Sequence, residues 1–226
     1  METKRNICII LASLFLLTSC SVSNVTRGTQ YEKLYEEQPV TMLVMPPINN
    51  TSYVEAKEFL YTSISRPLAE AGYYVISPLL AMDILKAESA YDAELFVDAP
   101  LTKFRDFFGA DAVVFSEIND WTKKGFGIQT NIRYFIRSTK TGEILFDRSC
   151  KLYLDLSVNS GTNSVLGALL DLAASTINTA ATDHIVAARK ANDFIFKDIP
   201  RGKYHPQFMT DKDVVAELKD ISKNVK

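Results

Sequence analysis

Histidine and cysteine are scarce in this sequence, which has two histidines and three cysteines among its 226 residues. The two histidines, His184 and His205, belong to no metal-ligand motif. The sequence also lacks a Gly-x-Ser-x-Gly elbow, a phosphate-binding loop and a dinucleotide-binding fingerprint. It therefore predicts no catalytic residue, no metal site and no cofactor, and it favours a protein that is not an enzyme.

An excess of positive charge is also missing. The chain has 25 Lys and Arg residues against 27 Asp and Glu residues, and its net charge is −2. Proteins that bind nucleic acid neutralise phosphates with a basic surface, so this composition argues against nucleic acid as a partner. A long apolar run occurs once, over residues 7–17. It is too short to cross a bilayer as a helix, which takes about 20 apolar residues.

The start of the chain has the three parts of a secretory signal peptide. Residues 4–5 are basic, residues 7–17 are apolar, and Leu17-Thr18-Ser19-Cys20 forms the cleavage region. These four residues resemble the bacterial lipobox, whose cysteine receives acyl chains such as palmitate. We therefore expect a signal peptide over residues 1–19 and contact with the lipid bilayer through the acyl chains of Cys20. The alternative is an ordinary signal peptide that ends near an incidental cysteine.

Lipidation leaves no pair of cysteines for a disulfide. Cys8 leaves with the signal peptide and Cys20 carries lipid, so Cys150 remains alone. Cys150 lies on the same face of a predicted strand as Phe146 and Leu152. Because apolar surroundings raise the pKa of a thiol, we expect a buried small hydrophobic residue rather than a reactive one.

The mature chain divides into a tether and one domain. Residues 20–38 are polar and mixed in charge, which predicts a lipidated N-terminus with a flexible tether. Residues 39–226 are then a single α/β domain with helices at its C-terminal end. Ser21, rather than an aspartate, follows Cys20, and by analogy with other lipoproteins this favours the periplasmic face of the outer membrane.

The first half of the domain alternates strands and helices. Residues 40–45 form an almost continuous apolar run that ends at Pro46-Pro47, as in a strand that is covered on both faces. Helical spacing follows over residues 54–71, and residues 73–76 and 112–118 predict further strands. Helices are expected between these strands, so this part predicts a parallel β-α-β arrangement.

The spacing of apolar residues then changes from a helical period to alternation with polar residues. Apolar and polar residues alternate over residues 126–137 and again over 144–154, with Arg148 as the exception on the second apolar face. A loop with Gly142 joins the two runs, which predicts a long antiparallel hairpin. Together these elements predict a mixed sheet of about five strands packed by helices.

Two more helices are expected near the end of the chain. Residues 163–190 have apolar side chains at helical spacing, and residues 210–222 predict a polar surface helix. The longer helix is rich in small residues, so one face could form a seam with a second subunit, giving a homodimer. The alternative is packing on its own sheet. The residues predicted for the self-association seam are Val165, Leu166, Leu169, Leu170, Ala173 and Ile177.

Clusters of carboxylates and aromatic residues were weighed as candidate sites. Asp111, Glu117 and Asp120 lie near one strand, and such carboxylates are most often solvated surface groups. A second set of side chains could line a binding groove, although packing in the core is the more common role of such residues. This set consists of Trp121, Tyr73, Tyr74 and Tyr134.

Several short segments of the chain form a recognisable series: the lipobox at Cys20, LVMPPINN at 43–50, RPLAEAGYYV at 66–75, FFGADA at 107–112, TKTGEIL at 139–145 and YHP at 204–206. In this order they resemble a family of bacterial lipoproteins of unknown function first noticed among neisserial surface-antigen candidates. The resemblance covers nearly all of the mature chain. It implies an α/β fold similar to the N-terminal domain of TolB, dimers, and a periplasmic protein anchored to the outer membrane.

The resemblance also suggests a partner, because members of this family are encoded near lipoproteins that resemble the curli secretion pore CsgG. The leading hypothesis is a lipid-anchored, non-enzymatic accessory or scaffold protein in envelope transport or assembly, with another envelope protein as partner. One alternative is a glycan- or small-ligand-binding module, with or without enzymatic activity. Another is a regulator of a cell-wall synthase, which rests on fold analogy alone.

Overall fold

The computed structural model describes residues 25–157 and 180–226. Its helices are α1 (Arg27–Gln30), α2 (Glu32–Glu37), α3 (Ala56–Ser63), α4 (Ser65–Glu70), α5 (Pro78–Ala87), α6 (Thr102–Phe108) and α7 (Ala180–Phe196), with a 3-10 helix at Ala93–Phe96. Its strands are β1 (Thr41–Val44), β2 (Ile48–Asn49), β3 (Tyr74–Val75), β4 (Ala112–Lys124), β5 (Gly127–Ser138), β6 (Ile144–Asp155) and β7 (Asp220–Val225).

Two predictions fall on residues outside those described. The first is the signal peptide over residues 1–19 with the lipidated Cys20. The second is the self-association seam of Val165, Leu166, Leu169, Leu170, Ala173 and Ile177. Both stay predictions.

The strands form one mixed sheet in the order β3-β1-β4-β5-β6-β7, with β2 paired to β4. β1 is parallel to β3 and β4, β2 is parallel to β4, and β7 is parallel to β6, whereas β4, β5 and β6 are antiparallel. The predicted α/β class, with a parallel part and a long antiparallel hairpin, is confirmed. The sheet has seven strands instead of about five, because β2 and β7 were not predicted.

The sheet separates two hydrophobic clusters, and β1 contributes to both. Met42 and Val44 pack with α3, α4 and α7 on one face, whereas Leu43 and Met45 pack with α5 and α6 on the other. This two-sided burial explains why β1 is an unbroken apolar run. The predicted helix over 54–71 is split into α3 and α4, and Pro67 lies in the first turn of α4, where its missing N–H is not needed.

Arg148, the charged exception on the inner face of β6, is only 1% exposed. Its guanidinium donates hydrogen bonds to the carbonyl oxygen of Ile195 in the last turn of α7, at 2.6 Å, and to that of Leu218, at 2.9 Å. The last carbonyls of a helix have no partner within the helix, and a cation there also complements the helix dipole. Cys150, two residues along, is fully buried, and burial raises its pKa to about 11, which confirms the predicted small hydrophobic role.

The predicted tether over residues 20–38 is wrong for residues 25–38. These residues form α1 and α2, and Tyr31, Leu34 and Tyr35 are buried against the sheet. Their spacing of three and four residues places all three on one helical face. The charged residues between them, which suggested a tether, occupy the solvent face of the same short helices.

The predicted C-terminal helix over residues 210–222 is also wrong. The chain is irregular until β7, which pairs with β6 and buries Ile221. Alternate residues of β7 face solvent, so the polar composition of this segment does not indicate a strand. The segment is a strand because it pairs with β6. The long helix also extends further than expected, because α7 ends at Phe196 instead of near residue 190.

Gly72 is required by a close backbone crossing, and its replacement by alanine should destabilise the fold. Gly72 has a φ of +94°, and an added Cβ would lie 2.5 Å from the backbone nitrogen of His205. We expect Gly72→Ala to lower the free energy of unfolding by about 3 kcal/mol, from the strained φ and the overpacking together. Urea denaturation measures this change.

Gly109→Ala is the matched control for that change. Gly109 also has a positive φ, +65°, but an added Cβ would meet nothing within 4 Å. It should therefore lose only about 1 kcal/mol from backbone strain. Equal losses in the two variants would contradict a role for the crossing between Gly72 and His205.

Candidate protein-binding surface

An open apolar groove of about 330 Å³ lies between α5 and α6. Ile84 and Leu85 line it from α5, and Phe104, Phe107 and Phe108 line it from α6. Its polar lining consists of Glu88, Ser89 and Lys103. We call this feature the α5–α6 groove.

A chain of phenylalanine rings connects the groove to the core. Phe96 contacts Phe104 edge-on, with ring centroids 5.0 Å apart, and Phe107 contacts Phe108 in the same way at 4.9 Å. Phe104 is 5% exposed, whereas Phe107 is 64% exposed. An edge-to-face pair of aromatic rings is more stabilising than the burial of its apolar area alone would be. The inner rings therefore support Phe107 at a fixed position on the surface.

Other large apolar side chains of the same segment are also exposed. Leu80 lies one turn before Ile84 on α5 and is 58% exposed. Exposed apolar side chains grouped in this way are typical of interaction sites. The others in this segment are Leu79, Tyr91 and Leu95.

Hydrogen bonds from the rest of the domain hold both sides of the groove. The hydroxyl of Tyr61 on α3 donates to the carbonyl oxygen of Pro78 at 2.8 Å, which fixes the start of α5. The guanidinium of Arg137 on β5 donates to the carbonyl oxygens of Phe96, Val97 and Ala99. The walls of the groove are thus attached to the sheet.

The segment around the groove is acidic. Residues 78–108 contain six acidic and three basic side chains, and none of the nine forms an ion pair with another residue in the described parts of the chain. Glu88 stands in the groove itself. The surface would therefore attract an apolar segment that carries basic residues at its sides.

The three carboxylates weighed in the sequence each have a separate structural partner. Asp111 accepts hydrogen bonds from the backbone N–H groups at the start of β1, both at 2.9 Å. Glu117 forms an ion pair with Arg133 at 3.4 Å. Asp120 accepts a hydrogen bond from Gln129. These bonds hold strands together and do not assemble an acid–base pair.

The predicted aromatic groove is not formed. Trp121, Tyr73 and Tyr134 are at most 4% exposed, and only Tyr74, on the edge strand β3, is exposed. The indole N–H of Trp121 donates to Nδ1 of His184 at 2.8 Å. Trp121 and His184 therefore belong to the core, in agreement with the more common role of such residues.

The described residues contain no group of three histidine, cysteine, aspartate or glutamate side chains placed to hold a metal ion. Among the helices described, none combines the length and apolarity that crossing a membrane requires. Cys20 and the predicted seam cannot be placed, since they lie outside the described residues.

The α5–α6 groove was not identified from the sequence, although a signal is present. Leu79-Leu80 and Phe107-Phe108 are pairs of adjacent large apolar residues on short helices. Neighbours on a helix point about 100° apart, so both members of a pair seldom face one core. At least one member of such a pair is therefore a candidate for the surface.

His184 should make the stability of the protein depend on pH. Burial, with Lys123 adding to the effect, lowers the pKa of His184 below its value of about 6.5 in an unfolded chain. The unfolded state then binds the proton more readily, so this contribution to stability is complete above about pH 6.5 and is lost as the pH falls below it. Protonation of Nδ1 would also end its hydrogen bond with Trp121.

Urea unfolding at pH 7.5 and pH 5.5 tests this expectation. His184→Asn keeps an acceptor for the indole but cannot titrate, so its stability should fall less over this interval than that of the native chain. His205→Asn, the same replacement at the other histidine of the chain, serves as the matched control. An unchanged pH dependence in His184→Asn would assign the effect to other groups.

The matching family and a curated relative of this chain are both described as putative lipoproteins. Residues 29–201 match the family described as "Putative lipoprotein GNA1162-like". A curated relative, "Putative lipoprotein NMB1124/NMB1162" of Neisseria meningitidis serogroup B, is 24% identical over 180 residues, which cover 76% of this chain and 81% of the relative.

Two solved structures also match this chain. The crystal structure of lipoprotein GNA1162 from Neisseria meningitidis is 23% identical, with a TM-score of 0.47, over 60% of this chain and 95% of that one. The LpoB C-terminal domain from Escherichia coli is 15% identical, with a TM-score of 0.35, over 55% of this chain and 93% of that domain.

The family match spans more than half of the chain and confirms the resemblance found in its short segments. It agrees with the lipoprotein relative. The chain therefore belongs to the GNA1162-like lipoprotein family, which makes it a lipid-anchored protein associated with the cell envelope.

Proposed function

We propose that this protein is a non-enzymatic accessory or scaffold protein that binds another envelope protein through the α5–α6 groove. The exposed ring of Phe107 at the mouth of an apolar groove is the observation that carries this proposal. An aromatic anchor on a rigid support is the kind of residue that dominates the energy of protein interfaces.

The lining of the groove favours a protein segment over a sugar or another polar ligand. Phenylalanine and aliphatic side chains make up most of the lining, with three polar residues beside them. A site for a polar small molecule would need several convergent hydrogen-bonding groups. The occupant that fits is an amphipathic helix with an apolar face for the groove and basic residues at its edges, which match the acidic surroundings.

The anchor in this proposal is Cys20, with residues 1–19 removed as the signal peptide. Its acyl chains would hold the domain at the membrane, on the periplasmic face of the outer membrane. A CsgG-like lipoprotein is the first partner to test, because the family resemblance names that association. A second copy of this chain, joined through the seam at residues 165–177, is the other assembly that the sequence suggests.

Cys20→Ala should release the protein from the membrane. Without a thiol no acyl chain can be attached, and none of the described helices could replace the anchor. We expect the native protein in the membrane fraction after an alkaline carbonate wash and the variant in the supernatant. Retention of Cys20→Ala in the washed membranes would contradict anchoring at this residue.

Phe107→Ser should weaken partner binding without unfolding the domain, because this ring is mostly exposed. Loss of an aromatic anchor at an interface commonly costs 2 kcal/mol or more, which is roughly a 30-fold loss of affinity. A photo-crosslinking residue in place of Leu80, in intact cells, measures the loss as a decrease in the crosslinked partner band.

Phe126→Ser is the matched control, since Phe126 is equally apolar and 76% exposed but lies in the turn between β4 and β5. The control should keep the partner band. An undiminished band in Phe107→Ser would contradict the groove as the binding site. A band that contains only two copies of this chain would replace the envelope partner with a homodimer.

A further inference from the structure

A second group of exposed apolar side chains lies where the described chain begins. Thr26 pairs with Val215 in a short antiparallel bridge, and we call residues 25–26 and 214–216 the valine ribbon. Val25, Val214 and Val215 are 48%, 46% and 53% exposed, and the neighbouring Leu218 is 77% exposed. Such a group is unusual for a surface in water.

The valine ribbon is held firmly in place. The N–H of Arg27 donates to the carbonyl oxygen of Val214 and the N–H of Ala216 donates to that of Val25, both at 2.8 Å. The carbonyl oxygen of Leu218 accepts the hydrogen bond from the buried Arg148. The exposed side chains are therefore fixed on a rigid backbone and cannot turn inward together.

The side chains of the ribbon point to both of its sides. Thr26 lies opposite Val215, and neighbouring residues of an extended chain alternate between faces. Val215 therefore faces the same way as Thr26, and Val25 faces the opposite way. A surface that packs against a flat partner would be apolar on one side only, whereas a ridge that enters an apolar medium is apolar on both.

The short distance along the chain to the proposed anchor indicates that this apolar medium is the lipid bilayer. Val25 is five residues after Cys20, and five extended residues span at most about 18 Å. The headgroup region on one side of a bilayer is about 5–7 Å thick. An acylated Cys20 would therefore hold the valine ribbon within about 18 Å of the bilayer surface, close enough to contact it.

We propose that the valine ribbon and Leu218 enter the boundary between the headgroups and the acyl chains of the bilayer and so fix the orientation of the domain on the membrane. This inference rests on the lipidation of Cys20 in the proposed function. The exposed lysines here, Lys212 and Lys219, are each followed by an aspartate. Local charge is therefore balanced, and the contact depends on apolar side chains and not on anionic lipid.

Spin labels on the full-length lipidated protein test the proposal. The protein carries Leu218→Cys, or Phe126→Cys as a control of equal exposure, and is reconstituted into vesicles of phosphatidylethanolamine and phosphatidylglycerol at three to one. Cys150 is fully buried and should stay unlabelled. Collision of the nitroxide with oxygen and with a polar nickel chelate reports its depth, and mass spectrometry of the N-terminal peptide reports acylation of Cys20.

We expect the label at position 218 to collide several times more often with oxygen than with the chelate, and the label at position 126 to show the reverse. Equal, water-like behaviour at both positions on an acylated protein would overturn the ribbon contact and leave the proposed anchor intact. Shielding at 218 that disappears when the protein is diluted tenfold in lipid would assign the surface to a second copy and also overturn it. Absence of acyl chains would overturn the anchor and this inference together.

Discussion

Two buried carboxylates, Asp198 and Asp211, hold both ends of the described chain on the sheet. Asp198 is completely buried and accepts hydrogen bonds from Arg27 and from the hydroxyl of Tyr31, both at 2.9 Å. Asp211 is 4% exposed and accepts from Arg27 and Tyr35. Buried charges are costly unless they are paired and hydrogen-bonded, so α1 must fold back onto the domain to supply Arg27. Burial, together with these carboxylates, raises the pKa of both tyrosines well above 10, which keeps their hydroxyls protonated as donors.

The sheet separates the residues around Asp198 and Asp211 from the α5–α6 groove. Tyr31 and Tyr35 belong to the cluster on one face of the sheet, and Phe104 belongs to the cluster on the other. Alternate residues of β1 and β4 contribute to both clusters, so neither layer can shift without repacking the strands between them. The residues that lead to the proposed anchor and the proposed binding surface therefore lie in opposite layers. In the proposed assembly, this arrangement would leave the groove accessible to a partner while the other layer faces the membrane.

The elements that the sequence predicted are those whose pattern reflects burial directly. β1 is covered on both faces and is a continuous apolar run, whereas the hairpin of β5 and β6 is covered mainly on one face and alternates. The elements that were missed depend on contacts distant in sequence. α1 and α2 are too short to show a helical period, and their stability comes from Asp198 and Asp211, more than 160 residues away. β7 forms a strand because it pairs with the edge of β6. Arg148 looked like an exception because its acceptors, in α7 and at Leu218, are separated from it by 46 to 70 residues.

The folding of residues 25–38 changes what kind of partner can reach the groove. A flexible tether over residues 20–38 would let the domain move about 20–25 Å from the bilayer on average, and further when stretched. With α1 and α2 packed on the sheet, only the four residues between Cys20 and Val25 would connect the domain to the proposed anchor, and the chain from Cys20 to Val25 spans at most about 18 Å. Arg27 fixes the direction in which the chain leaves the domain, through its ion pairs with Asp198 and Asp211. Under the proposed anchoring, a domain held this close to the membrane would present its groove on the side away from the bilayer, so a partner that lies in the same membrane would have to project a segment beyond the membrane surface to reach it.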